Sequence, residues 1–125
     1  MVPCVLYVED KIDNLMLVRR ILEAEGLEVL EATSAREGIE MAERHLPDLI
    51  LMDINMPEMD GLAATSYLRQ VPELSKTPIV AVTANVMRNI LEETLAAGCD
   101  GYITKPIDID IFPQQVLDYL NGKGE

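Results

Sequence analysis

The chain has 125 residues, enough for one domain with a packed core, and its 49% apolar and 26% charged residues set it apart from disordered chains. Twenty-two Asp and Glu against ten Lys and Arg leave a formal charge of −12, which repels a nucleic-acid backbone or an anionic lipid surface. No window approaches the roughly 18 apolar residues of a spanning helix, and the opening MVPCVLYVED lacks the basic and apolar regions of an export signal, so neither nucleic acid nor membrane is an expected partner and a cytoplasmic location is.

A short apolar run at 4–8 reads as the first strand. Leu15, Val18, Ile21 and Leu22 then share one helical face, and Gly26 stands where a glycine ends a helix. A second strand covers 27–32. Ser34 with Glu37 three positions on forms a capping-box pattern ahead of Ala35, Ile39 and Ala42, and Pro47 closes that second helix. His45, the one histidine, falls at its end as a C-terminal cation or an exposed residue. A third strand at 49–52 precedes a weaker helix at 62–70, which stops before Pro72. After a fourth strand at 79–82, Met87, Ile90, Leu91, Thr94 and Leu95 keep a helical period as far as Gly98. A fifth strand at 101–104 leads to a last helix carrying Phe112, Val116, Tyr119 and Leu120. Pro113 lies inside that helix if Asp108 is the N-cap, and in its first turn if the N-cap is Asp110. Cys4 and Cys99 match no metal spacing and read as reduced thiols, while the seven methionines read as core filler. No repeat or linker divides the chain, so 1–125 is expected to be a single domain.

The runs at 49–52 and 79–82 are apolar at every position, the pattern of parallel strands covered on both faces. Five strand–helix units with right-handed crossovers suit an open, doubly wound α/β sheet, since an eight-unit barrel needs about twice the chain. Such sheets bind ligands beyond the carboxyl ends of their strands. At those ends stand Glu9 and Asp10, Asp53, Thr83 and Lys105. Three carboxylates with one lysine carry a formal −2, and two carboxylates about 4 Å apart repel by roughly 4 kcal/mol at an effective dielectric near 20. A protonated carboxyl relieves that repulsion, but a hard divalent cation on oxygen ligands does so without a raised pKa, and a few carboxylates plus waters suit magnesium. Singly, each residue has an ordinary role: a solvated turn for Glu9 and Asp10, a turn or cap for Asp53, a strand residue for Thr83, a surface lysine for Lys105. Their convergence on one rim carries the inference.

Taken in order, Val5-Leu6-Tyr7-Val8-Glu9-Asp10, Asp48-Leu49-Ile50-Leu51-Met52-Asp53-Ile54-Asn55-Met56-Pro57 with Asp60-Gly61, Val82-Thr83-Ala84 and Gly101-Tyr102-Ile103-Thr104-Lys105-Pro106 resemble the response-regulator receiver domain of two-component signalling, over essentially the whole chain. The resemblance implies a flavodoxin-like five-stranded parallel sheet of order 2-1-3-4-5 with five helices. It implies that Asp53 takes a phosphoryl group from a phosphohistidine on a sensor histidine kinase or histidine phosphotransfer protein. Magnesium would be bound by Asp10, Asp53 and the main-chain carbonyl of Asn55, with Glu9 acting through a bound water. Lys105 would pair with Asp53 and then with the phosphoryl oxygens, Thr83 would donate its hydroxyl to them, and Tyr102 would turn inward as Thr83 moves. The Lys105–Pro106 bond would be cis, and Asn55 and Asn85 fall where the family tunes phosphoryl lifetime. A downstream protein target would meet the fourth helix (86–97), the fifth strand and the fifth helix. An ionised carboxylate needs no activating histidine, so His45 is left outside the chemistry.

On this reading the domain is a phosphorylation-dependent signalling switch and not an enzyme, though it promotes its own phosphorylation and dephosphorylation. An aspartyl-nucleophile phosphohydrolase is the main alternative, but it calls for a second acid where Asn55 stands. A nucleotide module lacks its glycine-rich cradle, because Glu9-Asp10-Lys11 follows the first strand. A phosphorylation-independent scaffold of the same fold is a third possibility. With no DNA-binding or catalytic segment after 121, the chain reads either as a stand-alone regulator or as the receiver of a larger protein.

Overall fold

The structure is a computed structural model that describes residues 2–56 and 61–122. Five strands, β1 (Cys4–Val8), β2 (Glu28–Ala32), β3 (Leu49–Asp53), β4 (Ile79–Thr83) and β5 (Gly101–Thr104), pair in parallel in the order β2-β1-β3-β4-β5. Between them run helices α1 (Ile12–Ala24), α2 (Ala35–His45), α3 (Gly61–Arg69), α4 (Arg88–Ala96) and α5 (Phe112–Leu120), with a 3₁₀ turn at Pro72–Leu74. The doubly wound sheet expected from the sequence is therefore present. Relative to the expected runs, β2 begins one residue later, and β3 and β4 each extend by one residue to include Asp53 and Thr83.

Strand side chains alternate between the two faces, and this divides the core. Val5, Tyr7, Leu49, Leu51, Val80 and Val82 pack with Leu15, Val18 and Leu22 of α1 and Phe112 and Val116 of α5. Leu6, Val8, Ile50, Met52, Ile79 and Ala81 pack on the other side with Ala35 and Ala42 of α2 and Ala64 and Leu68 of α3. Every residue of β3 and β4 is buried, which is why those runs contain no polar residue before their last.

Helix ends follow the local chemistry in part. Gly26, at φ 82°, ends α1 in the left-handed conformation that glycine adopts without strain. Ser34 caps α2 by accepting from Glu37 N at 3.1 Å, but the returning Glu37 carboxylate takes the N–H of Thr33 at 2.7 Å in place of that of Ser34. Helix α5 starts later than either expected cap. The Asp108 side chain accepts from Asp110 N, its carbonyl accepts from Ile111 N and Phe112 N, and Ile111 becomes the N-cap. Pro113 then sits in the first turn, where its missing N–H has no helical partner to lose.

Ile21, partly buried, packs against the same core as Leu15, Val18 and Leu22, whereas α4, shorter than 86–97, has Thr94 as its one fully buried residue, and Val86, Met87 and Leu95 are exposed. Nor are the methionines uniformly core filler: Met52 and Met56 are buried, but Met16 and Met87 face solvent. Cys4 and Cys99 are free thiols, and burial pushes Cys99 up to about 11. Among the described residues no helix is long and apolar enough to cross a membrane.

Candidate functional site

The strand order reverses between β2-β1 and β3-β4-β5, so the crossovers from β1 and β3 leave on opposite faces and open a crevice at the carboxyl rim. Register aligns that rim: Val8 lies opposite Met52, Asp53 opposite Val82 and Thr83 opposite Thr104. Asp53 closes β3, Glu9 follows β1 with its N–H bonded to Ala32 O at 2.9 Å, and Lys105 follows β5 with its N–H bonded to Thr83 O at 2.8 Å. The three residues arrive on separate strands whose positions the core enforces.

The side chains converge. Lys105 Nζ lies 2.9 Å from Glu9 Oε1 and 3.1 Å from Asp53 Oδ2. Asp53 Oδ1 accepts from Asn55 N at 2.9 Å, and Glu9 Oε2 from Lys11 N at 3.1 Å. Carboxylate oxygens of Glu9, Asp10 and Asp53 all lie within 4.8 Å of one another. Asp10 is exposed, but Glu9 is 0% and Asp53 1% exposed, so the solvated-turn role fits Asp10 and not Glu9.

Burial raises the proton affinity of both hidden acids, but their neighbours divide them. For Glu9, hydrogen bonds from Lys105, Tyr7 and Lys11 N outweigh burial and hold the carboxyl below its ordinary value. For Asp53, burial together with the nearby Glu9 charge outweighs Asn55 N and Lys105, and its pKa is raised. Burial works against the Lys105 ammonium, yet the two carboxylates more than offset it and raise its pKa. The cluster thus holds three acids and one firmly charged cation. An all-oxygen donor set with excess negative charge, two of its members stripped of water, fits a small hard dication.

The remaining expected residues surround this cluster. Asn55 links the loop after β3 to the loop after β4, since its Oδ1 accepts from Ala84 N at 3.3 Å. Thr83 is buried, and its hydroxyl is engaged by Asn85, donating to Asn85 O at 3.1 Å and accepting from Asn85 N at 2.9 Å. Tyr102 lies on β5 at 39% exposure, pointing away from the core. The Lys105–Pro106 peptide is cis. His45 ends α2 and is exposed; a helix runs back against its strands, so His45 lies at the rim opposite the acids. Pro57 and Asp60 of the family pattern fall outside the described residues.

The sequence reading missed Tyr7. Its hydroxyl donates to Glu9 Oε1 at 2.7 Å in a buried site. The signal was present, because a tyrosine inside an apolar strand needs a partner for its hydroxyl and position i+2 shares its face.

Residues 5–117 match the family described as response regulator receiver domain. The polar-differentiation response regulator DivK of Brucella ovis is 41% identical over 120 residues, spanning 96% of this chain and 98% of that protein. DivK of Brucella anthropi is 40% identical over 116 residues, spanning 93% of this chain and 94% of its own. Among solved structures, chemotaxis protein CheY4 of Vibrio cholerae superposes with a TM-score of 0.91 at 28% identity, over 95% of this chain and 99% of that one. The signal receiver domain of a signal transduction histidine kinase from Syntrophus aciditrophicus superposes with a TM-score of 0.87 at 31% identity, over 96% and 91%.

Proposed function

Since this chain belongs to the response regulator receiver domain family, whose members serve as phosphoacceptors for histidine kinases or phosphotransfer proteins, we propose that Asp53 is its phosphoacceptor. The observation that carries the assignment is the position of Asp53: 1% exposed, 3.1 Å from Lys105 Nζ and within 4.8 Å of two further carboxylates. An Asp53 carboxylate oxygen attacks the phosphorus of a phosphohistidine. A P–O bond forms as the P–N bond breaks, the electron pair stays on the histidine nitrogen, and an acyl phosphate results. Water later cleaves the acyl phosphate, returning the carboxylate and inorganic phosphate.

Phosphoryl transfer of this kind depends on positioning and charge neutralisation. Magnesium, held by Asp10, Asp53 and the Asn55 carbonyl with Glu9 reaching it through water, would supply positive charge against the carboxylates and the phosphoryl oxygens. Lys105, already between Glu9 and Asp53, supplies the other positive charge. Thr83 gives its hydroxyl to the phosphoryl group by leaving Asn85, and Tyr102 turns inward into the space that opens. The phosphorylated site biases the domain only by the difference in its contacts with the two arrangements. The output surface is α4, β5 and α5, where Leu95 and Tyr102 are exposed together with Val86 and Met87 just ahead of α4 and Ile111 just ahead of α5, on an otherwise acidic molecule.

The test is incubation with magnesium and acetyl phosphate followed by intact mass. Wild type gains one hydroxylamine-labile phosphoryl group and Asp53→Asn gains none. Equal labelling of the two proteins refutes the assignment, and steady turnover of unrelated phosphoesters favours the hydrolase.

A further inference from the structure

Tyr7 takes no part in the chemistry described above, yet it is 1% exposed and among the largest fully buried side chains. Its ring packs with Leu15, Val18 and Phe112 in the core beneath α1 and α5, while its hydroxyl meets Glu9 Oε1 at 2.7 Å. That same oxygen is the one Lys105 Nζ contacts at 2.9 Å. Lys105 is therefore shared between Glu9 and Asp53 in the resting state. As Lys105 turns to phosphoryl oxygens on Asp53 its hold on Glu9 Oε1 weakens, and at 0% exposure Glu9 has no bulk solvent to replace it; a magnesium-bound water would still leave Tyr7 as the side-chain donor on that oxygen. A carboxylate left in the interior without a donor on one oxygen is strongly disfavoured.

We propose that Tyr7 is a positioning residue that keeps Glu9 Oε1 hydrogen-bonded when Lys105 turns to the phosphoryl group, so that releasing the lysine does not strand a buried charge. The inference rests on Asp53 as phosphoacceptor. In the resting state loss of the hydroxyl still leaves Lys105 on that oxygen, whereas in the phosphorylated state it leaves no side-chain donor there. The hydroxyl thus favours the phosphorylated arrangement over the resting one. Tyr7→Phe keeps the ring volume and removes only this donor.

The experiment is a four-protein cycle of wild type, Tyr7→Phe, Glu9→Gln and the double variant. Each is titrated by calorimetry with beryllium fluoride, a tetrahedral phosphoryl analogue that binds carboxylates, at saturating magnesium, and separately with magnesium alone. Tyr7→Phe is expected to weaken beryllium fluoride binding about tenfold, the size of a hydrogen bond to a charged group, and to leave magnesium affinity nearly unchanged. In the Glu9→Gln background, which carries no charge to strand, the effect of Tyr7→Phe should vanish. Unchanged beryllium fluoride affinity in Tyr7→Phe overturns the proposal, as does an equal loss in both backgrounds, which marks a merely structural role. Should the variant not fold, wild type labelled with ¹³Cζ-tyrosine provides a second reading. The Tyr7 resonance shifts on beryllium fluoride addition if its bond to Glu9 becomes the only one on that oxygen, and a stationary resonance overturns the proposal. Wild type that takes no beryllium fluoride and no label from acetyl phosphate overturns the Asp53 assignment itself, a result distinct from either of these.

Discussion

Replacing Gly61 by alanine would test how closely α3 is wedged beneath the end of β3. A Cβ at this position would lie 2.8 Å from the Asp53 carbonyl oxygen, 3.0 Å from Ile54 Cα and 3.2 Å from Met52 Cγ. The two nearest obstacles are backbone atoms at a buried strand end, so no rotamer change relieves the overlap, and overpacking of this kind costs about 1–3 kcal/mol. Gly61 is the first residue of α3, so little helix propensity is recovered in exchange. An unfolding entropy of about 2.1 cal/mol/K per residue over 125 residues converts that cost into a fall of about 4–11 °C in melting temperature. The displaced carbonyl belongs to Asp53, so labelling by acetyl phosphate should slow as well, by about tenfold, given that a 1 Å misplacement can cost roughly a hundredfold. Gly38→Ala is the control. There the obstacle is the Val8 side chain, with Cγ2 at 2.7 Å, the site is inside α2 where alanine recovers about 1 kcal/mol of propensity, and Asp53 is not touched. It should melt closer to wild type and label at the wild-type rate. Calorimetry and a timed mass assay on the three proteins decide the matter. Gly61→Ala melting with wild type would refute the wedge, and melting low while labelling normally would refute its link to Asp53.

Asp53→Asn is expected to stabilise the metal-free protein at neutral pH. The Asp53 pKa is raised, by burial first and the Glu9 charge after it, so the folded state binds this proton more tightly than the unfolded chain. Stability from that proton is complete below the ordinary value of 3.8 and is lost as pH rises through the higher folded value, a loss the asparagine escapes. Urea midpoints across that window should show the variant's advantage growing with pH, and an advantage that shrinks would refute the argument. Lys105→Met leaves Glu9 and Asp53 without their shared cation, at a cost of about 3–5 kcal/mol for uncompensated buried charge. Magnesium should then raise the melting temperature of the variant more than that of wild type while acetyl phosphate labelling is lost, and equal magnesium shifts in the two would refute the shared-cation reading.

What the sequence revealed and what it concealed have separate physical causes. Strands β3 and β4 were legible because burial on both faces removes every polar residue before the last, and the rim was legible because doubly wound sheets place ligands at strand ends. Helix α4 has the same apolar period as a core helix, yet Met87 is 64% exposed and Leu95 53%. Periodicity reports that one face is apolar, not that another part of the chain covers it. The start of α5 was hidden because Asp108 and Asp110 both look like caps, while the backbone bonds from Ile111 and Phe112 back to Asp108 carry the start past both, to Ile111.

The site itself was legible as a set of residues but not as a division of labour. The sequence counts Glu9, Asp10 and Asp53 alike, as three negative charges with one lysine. In the fold they differ in what neutralises them. Asp10 is exposed to water, and Glu9, though fully buried, has donors on both oxygens from Tyr7, Lys105 and Lys11 N. Asp53 is nearly as buried but has Asn55 N on one oxygen and only a shared lysine on the other, and its pKa moves upward where that of Glu9 moves down. Asp53 is therefore the carboxylate whose negative charge is least offset, and the one whose energy falls most when a cation or an electrophilic phosphorus approaches. The proposed nucleophile, distinguished from its neighbours in this way, depends on the donors that satisfy Glu9 as much as on Asp53 itself. Every group that holds Glu9 ionised also directs incoming positive charge toward Asp53.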